Sequence, residues 1–292
     1  MTQRKGIILA GGSGTRLYPV TIGVSKQLMP VYDKPMIYYP LSVLMLAGIR
    51  EIAVITTPQD RNQFERVLGD SSRWGIEITF LEQPFPDGLA QAYLLAQDFL
   101  NGAPSMMVLG DNIFFGHGLP DLLATANART EGATVFGYRV ADPTAYGVLG
   151  FDANGRADRI IEKPTTPPSN YAVTGFYALD ESAPERAANL APSPRGELEI
   201  TDLLDTYLSD GALNVERMGR GYAWFDTGTH GALLDASNFV RTLSERQGQQ
   251  VGCLEEIAFD SGWITREDVL RQAGELRKNA YGAYLLRLVE EV

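Results

Sequence analysis

The sequence predicts an α/β protein built on a mostly parallel, doubly wound sheet, with mixed sheet in the middle of the chain and a helical C-terminal extension. Three observations carry this expectation. Up to residue 109, apolar strand-like runs alternate with helix-spaced segments, the rhythm of βαβ units. From Ala133 to Leu179 the strand-like runs follow one another with shorter connections. From Gly231 onward apolar residues recur at helical spacing to the end.

Each element has its own signal. Gly6 to Ala10 is a short apolar run that stops at a glycine-rich loop, and reads as a buried first strand. Met36 to Ala47 reads as a mostly buried helix with Pro40 in an early turn and Gly48 as its stop. Glu51 to Thr57 is a β-branched strand, Gln59 to Leu68 a helix, and Ile76 to Leu81 an alternating strand. Gln83 to Gly88 is a loop, Leu89 to Leu100 a helix, and Ser105 to Leu109 a strand ending in Gly110-Asp111-Asn112. After a helix near Leu119 to Arg129, strands are expected at Ala133 to Val140, Gly147 to Phe151, Asp158 to Ile161 and Tyr171 to Leu179. Glu197 to Leu208 reads as a helix, and Ala212 to Met218 as a strand. The short run Tyr222 to Phe225 ends in Asp226-Thr227-Gly228. Thr265-Arg266-Glu267-Asp268 has the capping-box pattern ahead of a further helix.

Composition narrows the function classes. The 292 residues are 45% apolar and 21% charged, ordinary values for a globular protein. No apolar run reaches the roughly 18 residues of a membrane span, and no signal-peptide core precedes the first strand. The single cysteine, Cys253, allows no intrachain disulfide, and there is no Cys/His metal spacing. A cytoplasmic location is the expectation, with no membrane partner. A net charge of −11 argues against nucleic-acid binding. It also means that anions are not gathered by the overall field. A phosphate site here needs local cations, backbone N–H groups and a divalent metal.

The stretch Gly11-Gly12-Ser13-Gly14, followed by Arg16 and Lys26, has the makings of such a site. Glycines let successive N–H groups approach an anion. The dinucleotide fingerprint is excluded because Leu17 stands where its third glycine belongs, and no Gly-Lys-Ser/Thr occurs for a triphosphatase loop. Asp111 and Asp226 each follow an apolar run and precede turn chemistry. Two strand-end carboxylates beside a phosphate loop suit Mg²⁺, which takes one or two carboxylates plus phosphate oxygens. Each aspartate alone reads equally as a turn residue. Lys163 could contact a second phosphate, Glu162 sugar hydroxyls, and Arg195 could add a cation, although each also reads as a solvated surface charge. With no Ser/His/Asp or Cys/His arrangement in sight, direct displacement is expected rather than a covalent enzyme intermediate.

Taken together, these stretches resemble the sugar-phosphate nucleotidylyltransferases, and closely the bacterial glucose-1-phosphate thymidylyltransferases. The matching segments run in one order over nearly the whole chain. They begin with Leu9-Ala-Gly-Gly-Ser-Gly-Thr-Arg-Leu-Tyr-Pro, Ser25-Lys-Gln-Leu-Met-Pro, Glu82-Gln-Pro and Asp87-Gly-Leu-Ala-Gln-Ala. They continue with Leu109-Gly-Asp-Asn, Tyr146-Gly-Val, Ile161-Glu-Lys-Pro, Arg195-Gly-Glu-Leu-Glu-Ile-Thr-Asp and Trp224-Phe-Asp-Thr-Gly-Thr. The resemblance implies a Rossmann-like, three-layer nucleotidyltransferase core over residues 1–230. Residues 1–115 would take the nucleotide, 116–230 the sugar phosphate, and 231–292 would serve an interface or regulation. It implies transfer of a thymidylyl group from dTTP to glucose 1-phosphate with Mg²⁺, giving dTDP-glucose and pyrophosphate, the first step towards dTDP-deoxysugars such as dTDP-rhamnose. Arg16, Lys26, Asp111 and Asp226 would be catalytic, with the two aspartates on the metal. Leu9, Gly11, Gly12, Ser13, Gly14, Thr15, Gln27, Gln83, Pro84 and Gly88 would join Arg16 and Asp111 around the nucleotide. Tyr146, Gly147, Glu162, Lys163, Val173, Arg195 and Trp224 would hold the sugar phosphate.

The same resemblance implies a homotetramer with a second nucleotide site at a subunit interface, open to dTDP-rhamnose as an inhibitor. Phe115, Gly116, His117, Arg220, Val251, Cys253, Glu256 and Ile257 are the matching residues. Asp260 departs from the arginine common in the family, and its charge would repel a second nucleotide. Three other readings are open: a relative using UTP, a glycosyltransferase, and a non-catalytic sensor. The second wants a strand-end Asp-x-Asp where the chain has Asp111-Asn112-Ile113. The third predicts loss of a cation or metal aspartate, and all four are present.

Overall fold

The first strand, β1 (Lys5–Leu9), has a continuous apolar sequence because it is covered on both faces. Ile8 packs on one side with Leu41, Leu44 and Phe64. Ile7 and Leu9 pack on the other with Ala92, Leu203 and Tyr207. The computed structural model describes residues 3–12 and 14–290. After β1 come a small hairpin, β2 (Pro30–Val31) and β3 (Lys34–Pro35), then α1 (Tyr38–Leu46), β4 (Glu51–Thr56), α2 (Arg61–Leu68) and β5 (Glu77–Glu82). Two short helices, α3 (Gln91–Leu95) and α4 (Gln97–Leu100), lead to β6 (Ser105–Leu109), β7 (Asn112–Gly116) and α5 (Leu119–Ala128). The middle of the chain supplies β8 (Ala133–Arg139), β9 (Gly147–Phe151), β10 (Ala157–Glu162) and β11 (Tyr171–Leu179). It continues through α6 (Ala183–Ala188), α7 (Ile200–Ser209), β12 (Leu213–Met218) and β13 (Tyr222–Asp226). The end is helical: α8 (His230–Gln247), α9 (Leu254–Asp260), α10 (Arg266–Glu275) and α11 (Ala280–Glu290).

The described residues build a nine-stranded sheet with the path β10-β9-β11-β6-β1-β4-β5, and β8 and β12 branching from β11. β6, β1, β4 and β5 run parallel, as the βαβ rhythm predicts. β11 enters antiparallel beside β6, which makes the sheet mixed. Helices α1, α2 and α5 cover one face and α3, α4, α6 and α7 the other, giving three layers. Leu254, Val269 and Leu285 of the last three helices join the same apolar cluster as Ile8. The capping box forms as the sequence predicts, with Thr265 and Asp268 bonding each other's backbone N–H. Among the described residues, no helix is long and apolar enough to cross a membrane.

Three local expectations differ. The helix expected over Leu89 to Leu100 is divided at Ala96, which has φ −90° and ψ 3°. The six-residue α6 was not foreseen, being too short for a periodic signal. No strand is expected over Asn112 to Gly116, which forms β7 because β13 pairs with it antiparallel, Asp226 opposite Asn112 and Tyr222 opposite Gly116. No local pattern could announce a partner more than 100 residues away.

Candidate active site

The β7–β13 ribbon explains why two distant aspartates meet. Asp111 follows β6 at the carboxyl end of the parallel strands, where Gly110 N–H bonds Leu9 O at 2.9 Å. Ligands sit at that edge of doubly wound sheets. Asp226 ends β13 beside it, and Thr227 secures the join by donating its Oγ1–H to Asp111 O at 2.8 Å. Lys26 donates to Oδ2 of Asp111, and both side chains are largely buried. The Asp226 carboxyl is pushed above the usual carboxylate range, first by burial and then by the Asp111 charge. Lys26, Arg16 and the Gly228 N–H pull the other way.

Asn112 is a residue that sequence reasoning missed. It is 2% exposed. Its Oδ1 accepts from Trp224 Nε1 at 2.6 Å and from Gly175 N at 3.1 Å, while its Nδ2 donates to Asp111 Oδ1 at 2.8 Å. One amide therefore ties β13 and β11 to the carboxylate. The signal available was a polar residue opening an otherwise apolar stretch.

Three adjoining cavities line this edge. The first, of 510 Å³, has Gln83, Pro84, Gly12 and Lys26 in its wall. The second, of 230 Å³, shares Gly12 and Lys26 with it and adds Gly11, Gly14, Thr15, Arg16, Gln27 and Asp111. The third, of 480 Å³, shares Arg16 and Asp111 with the second. Its wall holds Tyr146, Gly147, Glu162, Lys163, Val173, Arg195, Trp224 and Asp226. Every residue expected around a sugar phosphate thus faces one space. Ser13 lies outside the described residues. Leu9 and Gly88 stand behind the walls. Leu9 is 5% exposed in the core. Gly88, at φ +107°, lies so flat against Leu198 that a Cβ would come within 2.3 Å of its carbonyl oxygen. Leu198 N–H also bonds Asp87 O at 2.7 Å and Ala90 N–H bonds Leu198 O at 3.1 Å, which joins the Gln83 loop to the Arg195 loop.

Lys26, Lys163 and Arg195 are each paired with a carboxylate. Arg195 donates to Glu199 Oε1 at 2.8 Å and lies near Glu197 and Glu162, and Lys163 pairs with Glu162 at 3.0 Å. Glu199, also missed from sequence, is 8% exposed. Four cations (Arg16, Lys26, Lys163, Arg195) face five carboxylates (Asp111, Asp226, Glu162, Glu197, Glu199) across the second and third cavities. The lining is one charge negative, so the cation cluster expected from sequence does not by itself attract two phosphorylated ligands. Lys163 has φ +41°, which few non-glycine residues adopt. Its N–H bonds Tyr146 O at 3.0 Å, holding the turn. Tyr146 and Trp224 pack at 5.2 Å between ring centroids, an aromatic wall of the third cavity.

Of the residues expected at a second site, Phe115 and Gly116 lie in β7 and His117 and Arg220 are exposed near one end of the β7–β13 ribbon. Phe115 and Val251 share an apolar cluster with Val240. Cys253 is buried, takes a hydrogen bond from Tyr281 Oη at 3.3 Å, and its thiol is pushed up by burial and by Glu255. Glu256 accepts from Tyr284 Oη at 2.7 Å, and Ile257 is 9% exposed. Burial raises the carboxyls of Glu256 and Asp260 above their usual range.

Among the described residues, no group of three or more His, Cys, Asp or Glu side chains is placed to hold a metal ion. Asp111 and Asp226 form an oxygen pair only. The family described as Nucleotidyl transferase matches residues 5–242. The chain is 63% identical over 290 residues to a glucose-1-phosphate thymidylyltransferase of Xanthomonas campestris pv. campestris (strain B100), covering 99% of this chain and 98% of that one. It is 57% identical over 285 residues to the enzyme of that name from Neisseria gonorrhoeae, covering 98% and 99%. A Bacillus anthracis protein described as a glucose-1-phosphate thymidylyltransferase, solved in complex with a sucrose, superposes with a TM-score of 0.75. It is 39% identical, and the match covers 82% of this chain and 95% of that one. The chain belongs to the nucleotidyl transferase family.

Proposed function

We propose that the protein transfers the thymidylyl group of dTTP to glucose 1-phosphate in the cytoplasm, releasing pyrophosphate and forming dTDP-glucose for deoxysugar synthesis. The carrying observation is the continuity of the three cavities, with Asp111 and Arg16 at the junction between the glycine loop and the sugar pocket. The base would enter the cavity walled by Gln83, and the triphosphate would follow the glycine loop past Arg16 and Lys26. The sugar phosphate would lie against Lys163 and Arg195, with Glu162 and the backbone at Gly147 and Val173 at the sugar hydroxyls. A phosphate oxygen of glucose 1-phosphate attacks the α-phosphorus. That bond forms as the bond to the bridging oxygen of pyrophosphate breaks. No proton need move, so the chain's part is positioning and charge neutralisation.

Asp111 and Asp226 fit a hard divalent cation: both are oxygen donors, they face each other, and Asp226 carries the raised carboxyl of a crowded pair. We assign them Mg²⁺. When bound, it would neutralise charge on the phosphate oxygens, which a lining of net charge −1 cannot do alone. Lys26 and Asn112 each donate to one oxygen of Asp111; with a divalent ion on that carboxylate, the Lys26 ammonium would be available to phosphate. Removing divalent ions with EDTA should abolish pyrophosphate release, and Mg²⁺ should restore it. Full turnover in EDTA would remove the metal assignment.

We also propose a homotetramer with a regulatory nucleotide site around His117 and Arg220, whose exposed cationic and aromatic groups suit a deoxysugar nucleotide such as dTDP-rhamnose. Asp260 weighs against it. Titration of dTDP-rhamnose against initial rate, with light scattering for mass, tests both parts. An unchanged rate at concentrations well above substrate removes the inhibitor, and a monomer removes the interface.

A further inference from the structure

At the base end of the cleft Gln83 heads a line of three polar side chains, and the other two, Gln91 and Asp87, have no part in the reaction above. Gln91 Nε2 donates to Oδ2 of Asp87 at 2.8 Å. Gln83 Nε2 donates to Oε1 of Gln91 at 2.6 Å, with Gly88 O a second and longer acceptor at 3.4 Å. An ionised carboxylate accepts hydrogen bonds and cannot donate them. Asp87 is therefore the one member whose direction is set by its own chemistry. It requires the NH₂ of Gln91 to face it. The oxygen of Gln91 then faces Gln83 and requires an NH₂ there. Gly88 O, also an acceptor, makes the same demand. One direction is left for the Gln83 oxygen. It stands 2.7 Å from where a Cβ on Gly11 would lie, at the wall of the first cavity. Among the described residues no group donates to it.

An acceptor fixed in that wall discriminates between pyrimidines. Thymine and uracil carry an N3–H donor between two carbonyls, whereas cytosine presents a lone pair at N3. The first pairs with a carbonyl oxygen, and the second faces it lone pair to lone pair. We propose that Asp87 and Gln91 are positioning residues which hold the Gln83 amide with its oxygen towards the base, and so make the site select nucleotides bearing N3–H over cytosine nucleotides. The proposal rests on the reading above, in which the base occupies the Gln83 cavity. Packing alone would not require this polarity. An amide rotated end for end fills the same volume; the acceptor-only carboxylate, acting through Gln91 at 2.6 Å, and the longer 3.4 Å contact to Gly88 O oppose the rotation.

The test compares dUTP with dCTP, which differ only at position 4 and in the N3 proton. It reads kcat/KM with glucose 1-phosphate and, separately, Kd by calorimetry with Mg²⁺ present. The wild type should favour dUTP by at least ~10²-fold, a floor below the ~10⁴–10⁵-fold by which a site built to hydrogen-bond a substrate group rejects the analogue lacking it. Asp87→Asn is nearly isosteric but can present either end of its amide, which frees Gln91 to turn and leaves Gln83 oriented by the longer contact to Gly88 O alone. It should reduce the preference to below ~10-fold, through KM and Kd more than kcat, since groups at the α-phosphorus are untouched. Gln91→Met should act alike. Gln91→Glu keeps an acceptor towards Gln83 and shares a proton with Asp87, so it should hold the preference within about threefold of wild type. If Asp87→Asn and Gln91→Met melt like the wild type and keep its preference, the line of amides is packing only and the inference is wrong. Equal Kd values for dUTP and dCTP in the wild type would also overturn it. Failure of the transfer reading is a different result: no pyrophosphate with any nucleotide, while the Kd ratio still judges the relay.

Discussion

Lys26 and Asp111, 85 residues apart in the chain, form a largely buried ion pair at the junction of the phosphate and sugar cavities. Lys26 lines the glycine-loop cavity, and its charge offsets the crowded carboxylate of Asp226. With no ligand, the ammonium offsets two crowded carboxylates. With a metal on those carboxylates, the same ammonium is available to phosphate. Lys26→Ala should therefore lower turnover by at least ~10²-fold, the scale of losing one electrostatic stabiliser. Asp111→Asn should do the same. Initial rates of pyrophosphate release decide this, and a Lys26→Ala rate within a few-fold of wild type would place the cation outside the chemistry.

Asp226 carries the cost of that crowding. Its charged form is disfavoured in the fold by burial and by Asp111, so a neutral replacement relieves repulsion. Asp226→Asn should raise the stability of the metal-free protein by about 1 kcal/mol while lowering turnover by at least ~10²-fold. Thermal melts in EDTA alongside rate assays check both. A variant that is less stable and fully active would contradict both arguments.

Asn112 should matter for stability as well as rate. Asn112→Leu leaves Trp224 Nε1 and Gly175 N–H without their acceptor and Asp111 Oδ1 without its donor. Two orphaned buried donors cost roughly 2–4 kcal/mol. Urea midpoints should fall accordingly, and kcat should fall with them. An unchanged midpoint would show that the three groups find other partners.

Lys163 reaches the sugar pocket from a left-handed backbone and, among the described residues, is paired with Glu162. If it binds the phosphate of the sugar, Lys163→Ala should raise KM for glucose 1-phosphate by about 10-fold or more, the worth of one hydrogen bond to a charged group. KM for dTTP should barely move. A larger effect on dTTP would assign Lys163 to the other substrate.

The parts legible in the sequence were those whose signals are local. The run from Gly6 to Ala10, the glycine loop and the cations after it announce a strand and an anion site within 26 residues. Asp111 and Asp226 could be singled out because each ends a strand-like run. Illegible were the relationships that only tertiary pairing creates. β7 escaped notice because its partner β13 lies far along the chain, and with it went Asn112. Arg195 and Glu199 are four apart but lie ahead of α7 rather than within a helix, so no periodicity placed Glu199 against the guanidinium. The sequence pointed to local cations with metal-binding aspartates, and the two further carboxylates beside Arg195, Glu197 and Glu199, were not among the expected site residues.

The central claim is that one cleft joins a thymidine nucleotide to glucose 1-phosphate. The most direct measurement is pyrophosphate release by the purified protein in Mg²⁺, with dTTP or UTP, each with and without glucose 1-phosphate. Release is expected only when the sugar phosphate is present, faster with dTTP than with UTP, and with dTDP-glucose as the co-product by mass. No release with either nucleotide, or release independent of glucose 1-phosphate, would contradict it.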